Sequence, residues 1–321
     1  MLKVIIQIPC FNEEETLGIT LSQLPRTLSG VDKVEWLVID DGSTDKTVDV
    51  ARSYGVDHIL SLPRNQGLAK AFMAGLDASL KAGADIIVNT DADNQYCAAD
   101  IPRLIGPILD GKAEIVIGSR AISDLKHFSF TKKELHKLGS LVVRLLSKTN
   151  IPDVSSGFRA MSRSAALQIN VFSDYTYTHE MIIQAGQKNM SITSVPVRTN
   201  EPLRPSRLFR NIWVYIINAF VTIIRIFILY RPFPFFAIPG VFSFCVGFLI
   251  SARFLYFYVT GPGTGHIQSL ILSAILMGLG FFLCIAGILA DLTSANRKLL
   301  EDIKWRIMNF ETTYFSRLMK R

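Results

Sequence analysis

Ile86-Ile87-Val88-Asn89-Thr90-Asp91-Ala92-Asp93-Asn94-Gln95 is the stretch whose reading decides the fold. It opens as a short β-branched apolar run, the composition of a buried strand. Two carboxylates with one residue between them follow at once. If the chain turns after the strand, Asp91 and Asp93 both reach one hard divalent cation, with diphosphate oxygens completing its shell. Mg²⁺ or Mn²⁺ held there offsets charge on a departing nucleoside diphosphate. Taken alone, the same residues also describe a solvated acidic loop, so the neighbouring elements have to decide.

Two other strand ends repeat the pattern. Leu37-Val38-Ile39 runs into Asp40-Asp41-Gly42-Ser43-Thr44-Asp45, and the first apolar run ends in Pro9-Cys10-Phe11-Asn12-Glu13-Glu14. Ser43 or Thr44 is placed to cap a following helix. Adjacent carboxylates at a strand's carboxyl end are costly unless something donates to them, and a base N–H or ribose hydroxyls are suitable donors for Asp40 and Asp41. Further apolar runs predict strands at 3–8, 35–40, 58–62, 85–90, 114–118 and 192–197. Helical periodicity falls near 14–28, 44–54, 68–81, 99–110, 131–148 and 177–188. This alternation predicts an α/β domain with a largely parallel sheet, whose ligands bind at the strands' carboxyl ends.

Charge divides the chain. Residues 1–200 carry 21 basic and 22 acidic side chains, and residues 201–321 carry 13 and 5. The net +7 is therefore a near-neutral domain joined to a cationic, apolar module, which excludes a uniformly basic nucleic-acid binder. The four cysteines form no CxxC pair, so neither a disulfide framework nor a zinc site is expected. No signal peptide is read at the start of the chain. Expected domains are 1–205, an α/β catalytic domain; 206–231, a cationic amphipathic helix lying in the membrane interface; 232–292, a two-helix transmembrane domain; and 293–321, a basic tail helix. The spans 233–259 and 267–290 would measure about 40 and 36 Å as helices, enough to cross a ~30 Å core with tilt. Their connector, 260–266, lacks Lys and Arg while both flanks are rich in them. The positive-inside rule then places the catalytic domain and both termini in the cytosol, in a multi-pass protein of the cell membrane. The apolar face of the tail (Leu300, Ile303, Ile307, Phe310) has three possible destinations: a second copy of the chain, the bilayer or the catalytic domain.

Other chemistries lack their motifs. There is no GxxxxGK[ST] and no GxGxxG between strand and helix, and His179-Glu180 has no second His four residues on. A nicotinamide-dependent dehydrogenase is thereby disfavoured.

Six motifs in order resemble a known family: Pro9-Cys-Phe-Asn12-Glu13, Asp40-Asp41-Gly-Ser-Thr-Asp45, Asn65-Gln-Gly67, Asp91-Ala-Asp93-Asn-Gln95, Gly118-Ser-Arg120 and Asp153-Val-Ser-Ser-Gly157-Phe-Arg159. Together they resemble the family 2 glycosyltransferases of GT-A fold. Within these they are similar to the polyprenyl-phosphate sugar transferases, the dolichyl-phosphate mannose synthases and bactoprenol glucosyltransferases. The resemblance covers about residues 1–210, and the two-span tail is similar to the bactoprenol branch. It implies that Pro9, Phe11, Glu13 and Asp41 hold base and ribose, and that Asp91 and Ala92 border the sugar nucleotide. Asp93 and Gln95 would bind the metal, and Arg120 and Arg159 would line the sugar-phosphate and acceptor side. Lys132 and Lys133 fall where such enzymes carry Arg-Arg near the acceptor phosphate. Arg204-Pro-Ser206-Arg207 is similar to the family's Arg-Gly-x-Ser-Lys stretch, with Pro for Gly and Arg for Lys.

Simpler roles stand beside these. Arg120 and Arg159 also suit structural ion pairs, and Lys132 and Lys133 suit a solvated helix face. Asp153 either caps the turn before Ser155 or orients Arg159 or the sugar. The expected reaction is an inverting displacement, with Mg²⁺ or Mn²⁺, of a hexose from a nucleoside-diphosphate sugar onto polyprenyl (undecaprenyl) phosphate. UDP-glucose is the expected donor and GDP-mannose the next. The rivals are a glycosyltransferase acting on another acceptor, disfavoured by the lack of a QxxRW stretch, and a membrane scaffold that only binds nucleotide. Pairing of two copies through the membrane or tail helices is compatible with the sequence.

Overall fold

The computed structural model describes residues 1–120, 143, 144, 147, 149–171, 177–201, 203, 221, 224, 225, 228, 230–261 and 267–318. These form two compact units, Met1–Ile216 with Asp302–Arg321, and Ile217–Glu301.

The first unit is built on seven strands: β1 (Lys3–Cys10), β2 (Lys33–Asp40), β3 (His58–Ser61), β4 (Ile86–Asn89), β5 (Ile115–Ser119), β6 (Arg159–Ser162) and β7 (Ile192–Pro196). They lie in the order β3-β2-β1-β4-β6-β5-β7. β1 pairs in parallel with both β2 and β4, and β5 in parallel with β7. Continuous Ile/Val runs suit strands covered on both faces, and Val4, Ile5, Ile6 and Ile8 of β1 are all fully buried. The covering helices are α1 (Leu17–Gln23), α2 (Thr47–Ser53), α3 (Leu68–Lys81), α4 (Ile101–Leu109), α5 (Arg163–Gln168) and α6 (Tyr177–Gln187).

The sequence does not reveal β6. Arg-Ala-Met-Ser carries no apolar run, yet it pairs antiparallel with β4 on one side and β5 on the other. Pairing on both flanks, rather than propensity, makes it a strand. The start of α1 also differs from expectation. Asn12–Thr16 is not helical because its polar groups are engaged with the loop after β2. Ser43 Oγ accepts from Asn12 N, and Asn12 Oδ1 from Thr44 N. Ser43 and Thr44 therefore do not cap α2; the Asp45 carboxylate receives Thr47 N at 3.0 Å instead. The expected helix at 131–148 lies largely outside the described residues, with 143, 144 and 147 helical.

At the far end of β2, Glu35 is buried among Lys3 (2.8 Å), Lys33 (2.6 Å) and His58 (2.8 Å). Burial opposes its charge, but these hydrogen bonds outweigh that cost and hold the carboxyl down at about 2.

The second unit contains α7 (Pro232–Thr260) and the greater part of α8 (Ile267–Leu318). Both helices are long and apolar enough to cross a membrane. Phe242 is 71% exposed and Phe282 70%, which a core helix of a soluble domain would not tolerate. Small residues bring the two helices together: a Cβ on Gly280 would stand 2.5 Å from Gly240 O and 2.7 Å from Phe244 N. Ser243 Oγ adds a hydrogen bond to Leu276 O at 2.9 Å. α8 runs unbroken through residue 293, so no gap in the helix marks the expected start of the tail. Beyond Glu301 it belongs to the first unit, where Lys304 Nζ donates to Asn170 Oδ1. Of the three destinations open to the tail, this contact favours the catalytic domain. Of the amphipathic segment 206–231, residues 221, 224, 225, 228 and 230 are described as helical, and Arg231 is non-helical.

Three outcomes follow for detergent-solubilised protein. Gly280→Ala should lower stability by about 1–3 kcal/mol in thermal unfolding, because the added methyl forces the helices apart. Gly278→Ala, where a Cβ meets nothing within 4 Å, should be neutral or slightly stabilising. Glu35→Gln should cost about 2 kcal/mol at neutral pH. Because the folded-state value is depressed, that difference should persist above about 4.5 and fade as the pH falls towards about 2.

Candidate active site

β2 and β3 lie on one side of β1 and β4 on the other, so the chain reverses its direction of winding between β1 and β4. Ligands of open α/β sheets bind in the crevice at such a point, outside the carboxyl ends of the strands. The loops after β1, β2 and β4 meet there. Pro9 and Cys10 end β1, Phe11 is 39% exposed at the rim, and Glu13 Oε2 accepts from Thr16 Oγ1 at 2.7 Å.

Asp40 and Asp41 are buried, and their donors come from the backbone. Asp40 Oδ1 accepts from Ser43 N, while Asp41 takes Gln66 N on one oxygen and Gly67 N on the other, each at 2.8 Å. Backbone amides are thus donors to both carboxylates, where the sequence suggested a base N–H or ribose hydroxyls as suitable ones. The Asn65-Gln66-Gly67 turn folds over Asp41 and satisfies it.

Asp91 is different. Among the described residues no hydrogen-bond donor reaches its carboxylate. Burial pushes it up to about 7, the charges of Asp93 and Glu13 add to this, and Arg120 and Arg159 oppose it. Its oxygens lie 2.8 Å from where a Cβ on residue 157 would stand, so a side chain there would push the carboxylate from this position. Asp93 Oδ1 accepts from Gln95 N at 3.1 Å across a turn in which Asn94 takes the left-handed φ of 56°. Ala92 is buried, and its carbonyl accepts from Thr20 Oγ1.

A buried polar column holds this loop. Asn89 Nδ2 donates to Gly157 O at 2.8 Å and to Tyr177 Oη at 3.0 Å, and Asn89 Oδ1 accepts from Gln7 Nε2 at 2.9 Å. These bonds join β1, β4, the 153–157 turn and the start of α6 across the middle of the sheet.

The two arginines part company. Arg120 forks onto Asp153, with Nε to Oδ2 at 2.7 Å and Nη2 to Oδ1 at 3.1 Å, and Nη2 also reaches Ser155 Oγ at 2.8 Å. Burial works against this cation, but Tyr96 and Asp153 hold it above its ordinary value. Asp153 is fully buried, caps its own turn at Ser155 N and orients Arg120. Arg159 is fully buried, and its nitrogens are spent on the carbonyls of Ser156, Thr178 and Val154. It staples the 153–157 turn to α6 and does not line the crevice, which corrects the role the resemblance implied. Glu180 is buried on α6.

Asp91, Asp93, Glu13 and Arg120 are thus gathered at one rim. Lys132, Lys133, Arg204 and Arg207 lie outside the described residues. The residues missed in the sequence are Gln7, Asn89, Tyr96 and Tyr177, whose only signal is a polar or phenolic group inside an apolar pattern. Among the described residues no group of three or more His, Cys, Asp and Glu converges to make an all-protein metal cage. Asp91, which no described residue donates to, beside Asp93, which accepts a single backbone amide, suits Mg²⁺ or Mn²⁺, which bind through one or two carboxylates and take their remaining ligands from phosphate and water. The donor chemistry fits such an ion.

Comparison with known proteins agrees with this geometry. Over 217 residues the chain is 30% identical to the UDP-N-acetylglucosamine–dolichyl-phosphate N-acetylglucosaminyltransferase of Methanococcus voltae, covering 60% of this chain and 83% of the relative. Over 206 residues it is 29% identical to the undecaprenyl-phosphate mannosyltransferase of Micrococcus luteus, covering 61% and 83%. Its fold is similar to that of glucosyl-3-phosphoglycerate synthase from Mycobacterium tuberculosis, crystallised with Mn²⁺, UDP and glucosyl-3-phosphoglycerate. The TM-score is 0.54 at 20% identity, with 71% of this chain and 79% of that chain covered. The glycosyl transferase family 2 model matches residues 5–169, half of the chain. With a GT-A-type mixed α/β sheet and paired acids at its switch point, the chain belongs to glycosyl transferase family 2 and is a glycosyltransferase.

Proposed function

We propose that the chain transfers a hexose from a nucleoside-diphosphate sugar to a polyprenyl phosphate, with inversion at the anomeric carbon. The observation that carries this is the Asp91 carboxylate, without a donor among the described residues, beside Asp93 on a rim that also holds Arg120. The activities named for the relatives support the lipid-phosphate acceptor. Asp91 and Asp93 would hold Mg²⁺ or Mn²⁺, with Gln95 beside them, and the ion would supply charge neutralisation for the leaving diphosphate.

In this reading an oxygen of the acceptor phosphate attacks the anomeric carbon as the bond to the diphosphate breaks, and the nucleoside diphosphate leaves. A phosphate monoester, with a second pKa of ~6, is largely ionised at neutral pH, so no general base is required. Asp153 is already committed to Arg120, which is consistent with that economy. The protein's work is positioning and electrostatics: Arg120, locked by Asp153 and Ser155, presents a fixed positive charge to the rim. Phe11, Glu13 and the Asp40–Asp41 loop would receive the nucleoside. α7 and α8 would tether the domain to the bilayer that carries the acceptor, with the catalytic domain and both termini cytosolic.

We keep undecaprenyl phosphate as acceptor and UDP-glucose as the donor to test first. The relatives named for mannosyl and N-acetylglucosaminyl transfer put GDP-mannose and UDP-N-acetylglucosamine in the same panel. Incubating the purified chain with each labelled donor and undecaprenyl phosphate should give one lipid-linked sugar of defined mass. Label that stays in the sugar nucleotide with every donor, or moves to an acceptor other than the lipid, would overturn the reading. Asp93→Ala should lower the rate of lipid product by about 100-fold or more in a folded protein, and chelation of divalent ions should do the same to wild type. Undiminished turnover in that variant under chelation would refute the metal assignment.

A further inference from the structure

The loop carrying Asp93 and Gln95 is gripped from outside the sheet by the residues that follow β7. Cys97 N donates to Arg198 O at 3.2 Å, Tyr96 and Thr199 form an antiparallel bridge, and Asn200 N donates to Gln95 O at 2.9 Å. The Asn200 side chain then donates to Asn94 O at 2.9 Å and to Tyr96 O at 3.4 Å, with Gln23 Oε1 at 3.5 Å. Three consecutive carbonyls, of residues 94, 95 and 96, therefore end on one asparagine.

Those carbonyls belong to the turn that aims Asp93. Asn94 stands at φ 56°, a conformation that persists for a non-glycine residue when its surroundings hold it. Asn94 is buried, so its carbonyl needs a protein donor, and Asn200 Nδ2 supplies one. The same turn places Gln95 N on Asp93 Oδ1. If the left-handed turn relaxes, the direction of Asp93 relaxes with it.

We infer that Asn200 is the positioning residue of the metal loop. It locks the turn at Asn94 so that Asp93 stays beside Asp91 in the arrangement a divalent cation and a diphosphate require, while touching neither itself. This rests on the cation site proposed above at Asp91 and Asp93. Arg198 provides the control. It anchors the same segment through its N–H and guanidinium on Asp100, and its side chain makes no bond to residues 94–96.

The test is Mn²⁺ binding to the full chain in detergent, followed by the electron paramagnetic resonance signal of free Mn²⁺, with UDP and then GDP present. Asn200→Ala should weaken Mn²⁺ binding by about tenfold or more with the far-ultraviolet circular dichroism unchanged. Arg198→Ala should bind within about twofold of wild type. If Asn200→Ala does not fold, Asn200→Ser, whose hydroxyl falls short of the Asn94 carbonyl, should show the same loss. Wild-type affinity in the Asn200 variant, or an equal loss in Arg198→Ala, would overturn the assignment of Asn200 alone. A wild-type protein that binds no Mn²⁺ with either nucleotide would overturn the cation site itself, and the assignment of Asn200 with it.

Discussion

A carboxylate withdrawn from water must be met by donors or by a cation, and the carboxyl end of this sheet withdraws several at once. The loops are folded around that constraint. Asp40 is met by Ser43 N, Asp41 by the Gln66 and Gly67 amides, and Asp153 by the Arg120 fork. Asp91 is met by none of the described residues and is pushed up to about 7. Among the described residues the protein thus supplies donors to Asp40, Asp41 and Asp153 and none to Asp91.

Precision at Asp91 comes from groups that never face the crevice. The Gln7–Asn89–Tyr177 column ties two strands to α6, and Tyr177 stacks on Phe72 with ring centroids 3.9 Å apart. The buried Arg159 closes the same assembly through three carbonyls. Removing one member of such a network leaves buried polar groups unpaired, which costs more than the bond itself contributes. The 153–157 turn is therefore stiff where it must be, with Gly157 against Asp91 and Asp153 on Arg120. Displacement chemistry that depends on charge and placement, without a general base, needs that stiffness.

Much of this was legible in the residues. Apolar runs marked six of the seven strands, and the acids that follow β1, β2 and β4 marked the rim, because burial on both faces and a polar loop each leave a local trace. β6 left none: Arg159-Ala160-Met161-Ser162 is a strand because β4 and β5 lie on either side of it. The donors to Asp40 and Asp41 also eluded a linear reading. They are amides, and every residue but proline has one, so no side chain marked them. Arg159 misled for the opposite reason. A guanidinium beside an acidic rim suggests phosphate, whereas five donors in one plane equally suit the carbonyls of a tight turn.

The sequence by itself determined the fold class, the strand ends that carry the acids of one rim, the two apolar helices and the Asp91/Asp93 pair, since each is set by local pattern and composition. Only the tertiary structure decided which acids the protein satisfies internally, which arginine faces the rim and which becomes a staple, and that Asn200 holds the turn between Asp93 and Gln95. Those outcomes depend on the direction of individual N–H and C=O groups brought together over as many as 106 positions of chain. No local pattern in the sequence records that geometry.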